Sequence, residues 1–96
     1  HLSQYKNDRS TGRNPNTPPE TLSVLSRDKD PYVRASVAQN PSITTEIAEV
    51  LSKDKDDYVR RMVAENPKSI FEILLLLSND DSSEVRASVA GNPSLS

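Results

Sequence analysis

The sequence contains no cysteine, and its single histidine is His1. Without cysteine the chain can form no disulfide bond, no thiolate metal site and no cysteine nucleophile. Histidine is the most frequent general base and metal ligand in proteins, and no second histidine is present. Carboxylates occur, but no histidine, cysteine or lysine is placed with them as an acid-base or nucleophilic set. We therefore expect no enzyme activity, no catalytic residue, no metal and no cofactor.

Large apolar side chains and long apolar runs are also scarce. Only 33% of the 96 residues are apolar, and the aromatic residues are three tyrosines and one phenylalanine. This composition predicts one domain at most, with a shallow, layered core. No apolar run approaches the roughly 20 residues of a membrane span, and nothing resembles a signal peptide. The net charge of -2 gives no general attraction for nucleic acid or anionic membranes, so we expect a cytoplasmic protein without membrane contact.

A ten-residue segment recurs three times, as YVRASVAQNP from Tyr32, YVRRMVAENP from Tyr58 and EVRASVAGNP from Glu84. Its final Asn-Pro falls every 26 residues, at positions 14, 40, 66 and 92. A fixed period of this length is typical of a solenoid, in which each unit packs on its neighbours. The period divides the chain into units 14–39, 40–65 and 66–91, and residues 92–96 begin a truncated fourth unit. Residues 1–13 are interpreted as a degenerate cap or a flexible basic arm.

Each unit is predicted to contain two short helices. Thr17 and Ser69 are placed as N-caps of the first helix, each with a glutamate three residues later that completes a capping box. In the second unit Ile43 occupies the cap position, so this helix begins late, at Thr44, or loses its cap. The apolar face is predicted from four rows of equivalent positions: Thr21, Ile47 and Ile73; Leu22, Ala48 and Leu74; Val24, Val50 and Leu76; Leu25, Leu51 and Leu77.

The second helix follows an Asp-rich turn. Asp30, Asp56 and Ser82 are placed to cap it, and Pro31 stands at its first position in the first unit. The helix runs through Val-Arg and Val-Ala to the next asparagine, where the following proline ends it by withholding a backbone donor. The prediction for the whole chain is all-α.

The pattern Val-Arg-x-x-Val-Ala-x-Asn-Pro, followed by glutamate, leucine spacing and Asp-x-Asp, resembles the leucine-rich repeat variant family, which is similar in style to HEAT repeats. The resemblance covers residues 14–93 in three in-phase copies. It implies a right-handed superhelix, an α-solenoid, in which an α-helix alternates with a shorter α or 3₁₀ helix. Family units are commonly a little shorter than this one, so the type of the first helix stays open. Some relatives carry a cysteine-rich iron-sulfur segment, which this chain cannot form.

Two sets of charged residues share the period. On a helical wheel Arg34 lies between Val37 and Ala38, two positions predicted to be buried. An uncompensated buried charge is costly, so we predict that the arginine ladder binds the aspartate ladder or the carbonyls of a neighbouring helix end. A basic ladder that faces a ligand is the alternative. The arginine ladder is Arg34, Arg60 and Arg86, and the aspartate ladder is Asp28, Asp54 and Asp80.

Asn40 and Asn66 form an asparagine ladder at the ends of the second helices. Asparagine tolerates turn geometry, and we predict that both side chains bond backbone groups of a neighbouring repeat. The Asp-x-Asp turns suggest calcium, but they lack the glycine and the distal bidentate glutamate of a calcium loop. We favour helix capping over metal binding for these acids.

Outward positions that vary between units normally carry a solenoid's specificity. Tyr32, Tyr58 and Arg61 meet this description on the second helices, and Phe71 and Leu75 add an apolar patch to the first helix of the third unit. Two interpretations of the tyrosines stay open: they stack on a peptide or a base, or they pack against adjoining turns of their own chain. Three interpretations of the apolar patch stay open: it binds a partner, it covers the N-terminal arm of its own chain, or it forms a contact between two copies of the chain.

The leading hypothesis is a noncatalytic helical-repeat scaffold that binds a protein or peptide. Because the chain starts at His1 and three repeats are close to the minimum for such an array, we expect a fragment of a longer repeat protein or end-to-end self-association. The alternative hypothesis is nucleic-acid binding through Lys6, Arg9 and Arg13, together with the two tyrosines and the arginine ladder. The balanced charge argues against this alternative.

Overall fold

The computed structural model describes residues 7–95. Within this range the chain forms α-helices, one short 3₁₀ helix and no β-strand, so the all-α prediction is confirmed for these residues. The α-helices are α1 (Arg9–Arg13), α2 (Pro19–Leu25), α3 (Pro31–Ala38), α4 (Thr45–Leu51), α5 (Asp57–Glu65), α6 (Phe71–Leu77) and α7 (Ser83–Ala90), and the 3₁₀ helix is Pro93–Leu95.

The second helices of the three units, α3, α5 and α7, begin where the sequence predicts. The side chains of Asp30, Asp56 and Ser82 each accept a hydrogen bond from a backbone N–H of the first turn, at 2.9, 2.9 and 3.3 Å. These bonds satisfy donors that have no partner within the helix. The three predicted caps are confirmed, and Pro31 occupies the first helical position of α3.

The first helices α2 and α6 begin one residue later than the predicted capping boxes require, whereas α4 begins after a Thr44 cap, the late start that the sequence allowed for it. All three are α-helical, and only the middle one has a side-chain cap, in which Thr44 accepts from the Ile47 N–H at 3.2 Å. The capping boxes assigned to Thr17 and Ser69 are wrong. Both hydroxyls instead donate at 2.7 Å to the carbonyl six residues earlier, in the last turn of the preceding helix, where that carbonyl also accepts the N–H of the C-cap asparagine.

The second helices lie side by side. Helix α5 lies between α3 and α7, and α1 packs on the opposite side of α3, so that four helices form a continuous series. Each first helix contacts the second helix of its own unit. The molecule is elongated, with extents of 41 × 24 × 18 Å.

The apolar core lies between the first and second helices and continues through the series. The first helices contribute the buried residues Leu22, Leu25, Ile47, Ala48, Leu51, Ile73, Leu74 and Leu77. The second helices contribute Val33, Ala35, Val37, Ala38, Val59, Met62, Val63, Ala64, Val85 and Val89. The rows of Leu22 and Leu25 in the first helices and the valines of Val-Arg in the second helices are buried in all three units, whereas Ala87 and Ala90 of α7 are exposed.

One predicted core row is wrong. Val24, Val50 and Leu76 are 54, 58 and 51% exposed, and Thr21 is only half-buried. At about 100° per residue, position 24 lies about 100° from position 25 and about 160° from position 22 around the helix axis. Because positions 22 and 25 point into the core, position 24 falls outside the buried arc. The first helices therefore carry a stripe of three exposed aliphatic side chains.

Helix α1 approaches α3 closely at Gly12, which is buried. A Cβ atom at this position would overlap Ser36 Oγ and lie 3.3 Å from the Val37 backbone nitrogen. At the start of α1, Asp8 accepts a hydrogen bond from the Thr11 N–H at 2.9 Å. Glycine thus allows the short helix to pack where a larger residue would force the two backbones apart.

Replacing Gly12 with alanine is expected to lower the free energy of unfolding by about 1 to 2 kcal/mol, because the added methyl group overpacks the contact between α1 and α3. Hydrogen exchange at the amides of α1 is expected to accelerate. Gly91→Ala is the matched control, since its added Cβ meets only ordinary contacts at 3.7 and 3.9 Å. Equal effects of the two substitutions in urea unfolding would contradict the close packing of α1.

Candidate functional site

The arginine ladder joins consecutive units through paired hydrogen bonds. Arg34 donates from Nε to Asp54 Oδ2 at 2.8 Å and from Nη2 to Asp54 Oδ1 at 3.2 Å. Arg60 binds Asp80 at the same two distances. Each of these arginines also donates from Nη1 to the carbonyl six residues before it, at 2.7 Å. A single guanidinium fork therefore binds its own unit and the next one.

The two ends of the ladder differ from its middle. The Asp28 carbonyl accepts from Arg34, while the Asp28 carboxylate accepts a backbone N–H of its own turn at 2.9 Å. Arg86 donates from Nη1 to the Asp80 carbonyl at 2.7 Å, and no carboxylate among residues 7–95 binds it. Arg34 is buried, whereas Arg86 is exposed. Solvent exposure of the arginine ladder therefore increases toward α7.

The ion pairs change the pKa values of Arg34, Arg60 and Asp80. Burial alone would raise the pKa of the Asp80 carboxyl, but hydrogen bonds from Arg60 and the Ser82 N–H, with the charge of Arg60, hold that pKa below its ordinary value. The hydrogen bond to Asp80 raises the pKa of Arg60, and the bond to Asp54 does the same for Arg34. Both guanidinium groups consequently stay charged at any pH at which the protein would be studied.

The lowered pKa of Asp80 makes stability depend on pH. Its contribution is present above the unfolded-state pKa of about 3.9 and is lost as pH falls through the lower folded-state pKa. We expect the free energy of unfolding to decrease as pH falls below about 4, and to decrease less steeply in Asp80→Asn, which has no carboxyl to protonate. Urea unfolding at a series of pH values checks this, and parallel curves for the two proteins would contradict it.

The asparagine ladder joins units through buried amide groups. Asn66 Nδ2 donates to the Ala38 carbonyl at 2.7 Å and to the Asn40 carbonyl at 3.0 Å. Asn40 makes the equivalent pair of bonds one unit earlier, and Asn92, which the sequence-based ladder omitted, makes them one unit later. All three side chains are buried. Each amide thus donates to a carbonyl in the last turn of the preceding helix of the series. It also donates to the carbonyl of the preceding asparagine, which accepts a backbone N–H of its own turn as well.

The acids of the Asp-x-Asp turns bind backbone N–H groups. Asp28 and Asp54 each accept from the N–H two residues later at 2.9 Å, and Asp30 and Asp56 cap the helices that follow. Within residues 7–95 no group of three or more histidine, cysteine, aspartate or glutamate side chains is arranged to hold a metal ion. The turn carboxylates act as local caps in this fold.

Tyr32 and Tyr58 contact each other on neighbouring second helices. Their ring centroids are 5.5 Å apart and their planes are inclined by 60°, within the range of favourable aromatic pairs. The guanidinium carbon of Arg9 lies 5.7 Å from the Tyr32 ring centroid, and that of Arg61 lies 5.7 Å from the Tyr58 centroid. Tyr32 is 55% exposed and Tyr58 is half-buried. We call these four side chains, which follow one another across α1, α3 and α5, the tyrosine face.

A shallow depression adjoins the tyrosine face between α5 and α7. Its wall consists of Arg61, Glu65, Glu84, Ala87, Ser88 and Gly91. Ser88 Oγ donates to Glu65 Oε2 at 3.0 Å. Arg61 Nε is buried and has no hydrogen-bond partner among the residues that the structure describes. The depression therefore brings the guanidinium group of Arg61, whose Nε has no partner in the described part of the chain, together with the carboxylates of Glu65 on α5 and Glu84 on α7.

Phe71 and Leu75, the predicted apolar patch, lie on α6 and are 62 and 55% exposed. They line a small apolar groove with Leu74, Ser78, Val89 and Leu95. Helix α1 packs on α3, at the opposite end of the helix series, so Arg9–Arg13 does not cover this patch. Lys6 and the rest of residues 1–6 lie outside the described part of the chain. The structure thus separates the apolar patch from the tyrosine face.

Sequence reasoning missed the part that Arg9 plays beside Tyr32, because it assigned Arg9 to an arm outside the repeats. The 26-residue period could have indicated this role. Positions 9, 35 and 61 are equivalent, so Arg9 occupies on α1 the position that Arg61 occupies on α5. The exposed stripe of Val24, Val50 and Leu76 was missed because this row was included in the predicted apolar face, whereas Phe71 and Leu75 were placed outside it. Weighing each position by its angle to positions 22 and 25 would have identified it.

Comparison of the chain with protein-family models, with characterised proteins and with solved structures finds no match. Among residues 7–95, no helix has the length and apolar character needed to cross a membrane. The functional argument therefore depends on the geometry of the chain's own side chains.

Proposed function

We propose that the chain is a noncatalytic helical-repeat scaffold that binds a protein or peptide. In this proposal the two-helix units form a right-handed α-solenoid with a period of 26 residues, of the type found in the leucine-rich repeat variant family, and the scaffold acts in the cytoplasm. Equivalent bonds support the proposal: Arg34 to Asp54 and Arg60 to Asp80 repeat at the same distances, one period apart. Such repetition is expected of units that each contact only their neighbours.

The tyrosine face is the observation that carries the binding proposal. It exposes the ring of Tyr32, and the Tyr32–Tyr58 pair lies between the guanidinium groups of Arg9 and Arg61. Arg61 also lines the adjoining depression. Tyrosine supplies a large, rigid contact area, and arginine supplies donors for carboxylate or carbonyl groups. We infer a peptide that presents an aromatic or proline side chain to the tyrosines and a carboxylate to Arg61.

Peptide selection on the full chain tests this proposal. A phage-displayed random peptide library is panned on the natural chain, and enriched peptides are measured again on Tyr32→Ala/Tyr58→Ala. We expect at least a tenfold loss of affinity in the double variant, because two aromatic contacts are removed. Phe71→Ala/Leu75→Ala is the matched control and should bind normally. Peptides that bind both double variants equally, or no enrichment at all, would contradict the proposal.

Nucleic-acid binding is a second candidate, favoured by the placement of Arg9 and Arg61 beside the two tyrosine rings. Aromatic faces flanked by cations are the groups on which single-stranded bases stack. The net charge of -2 opposes it, since affinity for the phosphate backbone comes from excess positive charge. A gel-shift assay with single-stranded oligonucleotides at low and moderate salt decides: no shift at low salt removes this candidate.

A further inference from the structure

The outer side of α7 exposes residues whose equivalents are buried elsewhere in the chain. Ala38 and Ala64 are both fully buried, whereas Ala90, at the same position of the third unit, is exposed. Ala35 is 2% exposed, whereas its equivalent Ala87 is exposed. In the first two units a further second helix packs against the helix that carries these side chains. We call Arg86, Ala87, Ala90 and Gly91 the α7 face.

The α7 face also holds hydrogen-bonding groups without the partners that their equivalents have. In Arg34 and Arg60 the Nε and Nη2 edge binds a carboxylate twenty residues later, but the same edge of Arg86 binds no acceptor among residues 7–95. The carbonyl of Ala38 accepts from an asparagine amide 28 residues later, and the carbonyl of Ala64 does so as well. No such amide donates to the Ala90 carbonyl within that range.

The bonds made in the first two units define what would satisfy this surface. An aspartate carboxylate is needed at the guanidinium edge, and an asparagine amide is needed at the helix end. In the partners seen within the chain these two residues stand twelve positions apart, as Asp54 and Asn66 or as Asp80 and Asn92, with a second helix between them.

We propose that the α7 face is a docking surface for a further helical repeat, supplied by a polypeptide that carries aspartate and, twelve residues later, asparagine at the end of a helix. The proposal depends on the stacked units of the proposed function and not on the tyrosine face. Charge complementarity at Arg86 and continuity with the contacts of α3 with α5 and α5 with α7 support it. A second copy of this chain fits less well, since its Asn40 amide already donates to the Gly12 and Asn14 carbonyls.

The test extends the full chain after Ser96 with residues 45–70 of its own sequence, which continues the period and supplies copies of Asp54 and Asn66. In the extended chain Arg86→Met is expected to lower Tm by about 8 °C, because it breaks a newly formed ion pair, against less than about 2 °C in the natural chain. Changing the appended copy of Asp54 to asparagine should lower Tm similarly and should not add to Arg86→Met. An equal, small effect of Arg86→Met in both chains would overturn the proposal, as would a separate transition for the appended unit.

Sedimentation equilibrium of the natural chain distinguishes the alternative occupant. We expect a monomer, and a dimer that Arg86→Met abolishes would overturn the proposal in favour of a second copy. Peptide binding at the tyrosine face should be the same in the natural chain and in Arg86→Met. The peptide selection therefore tests only the tyrosine face, and the Tm comparison tests only the α7 face, so either proposal can fail without the other.

Discussion

Asn66→Ala is expected to lower the free energy of unfolding by about 3 kcal/mol, which corresponds to a decrease in Tm on the order of 15 °C for a domain of this size. The substitution removes both amide hydrogen bonds to the Ala38 and Asn40 carbonyls. It leaves the Ala38 carbonyl buried without a partner, which costs more than the bond itself contributed. It also removes the acceptor of the Lys68 N–H. Thermal unfolding followed by circular dichroism measures the change.

Asn79→Ala is the matched control for this prediction. Asn79 is exposed, and its side chain makes none of the hydrogen bonds that join units. Its substitution should change Tm by no more than about 2 °C. If Asn66→Ala and Asn79→Ala had the same effect, the asparagine ladder would not be a structural connection between units.

Arg60→Met is expected to lower the free energy of unfolding by about 2 to 3 kcal/mol. Methionine keeps the apolar stem in place but leaves the Asp80 carboxylate, whose side chain is only 9% exposed, without its cation. The Asp54 carbonyl loses its guanidinium donor as well. A fully buried pair would be more costly to break, and the 15% exposure of the Arg60 side chain moderates the loss. Urea unfolding at neutral pH measures it.

Arg86→Met is the control, because it changes the same position of the repeat where no carboxylate is bound within residues 7–95. We expect a loss below about 0.5 kcal/mol, because the one hydrogen bond that the substitution removes is exposed. A double-mutant cycle of Arg60→Met with Asp80→Asn should give a coupling energy of about 1 to 2 kcal/mol. Additive single effects would mean that the two side chains do not interact in solution.

The sequence predicted the second helices well because their signals are local and repeated. An aspartate or serine three residues before the valine of Val-Arg caps the helix, and Asn-Pro ends it. The starts of α2 and α6 were misplaced because the hydroxyls of Thr17 and Ser69 can form either of two hydrogen bonds. Each could cap the next helix or donate to the previous one, and only the packed chain selects between these bonds.

The partners of the arginine ladder illustrate what a single sequence leaves open. Burial of Arg34 between apolar positions predicted that a carboxylate or a carbonyl would bind it, but both kinds of acceptor share the same period. In the structure the carbonyl comes from Asp28 of the same unit and the carboxylate from Asp54 of the next unit. The distance between units decides which group reaches which edge of the guanidinium, and that distance is a property of the packed helices.

The tyrosine face was only partly predictable for the same reason. Tyr32 and Tyr58 are one period apart, which brings them onto neighbouring helices once the units stack. The placement of Arg9 beside Tyr32 depends on α1, a helix too short and too divergent to be identified from its periodicity. Its close approach to α3 depends on Gly12, and the sequence gives no direct sign of that contact.

The central claim is that buried amides and ion pairs at a 26-residue spacing hold consecutive units together. Hydrogen exchange of the asparagine side-chain amides, followed by NMR, tests it most directly. We expect the Asn40 and Asn66 Nδ2 protons to exchange at least about 100-fold more slowly than those of the exposed Asn16 and Asn79, because exchange requires the units to separate. Equal exchange rates for all four side chains would contradict the account.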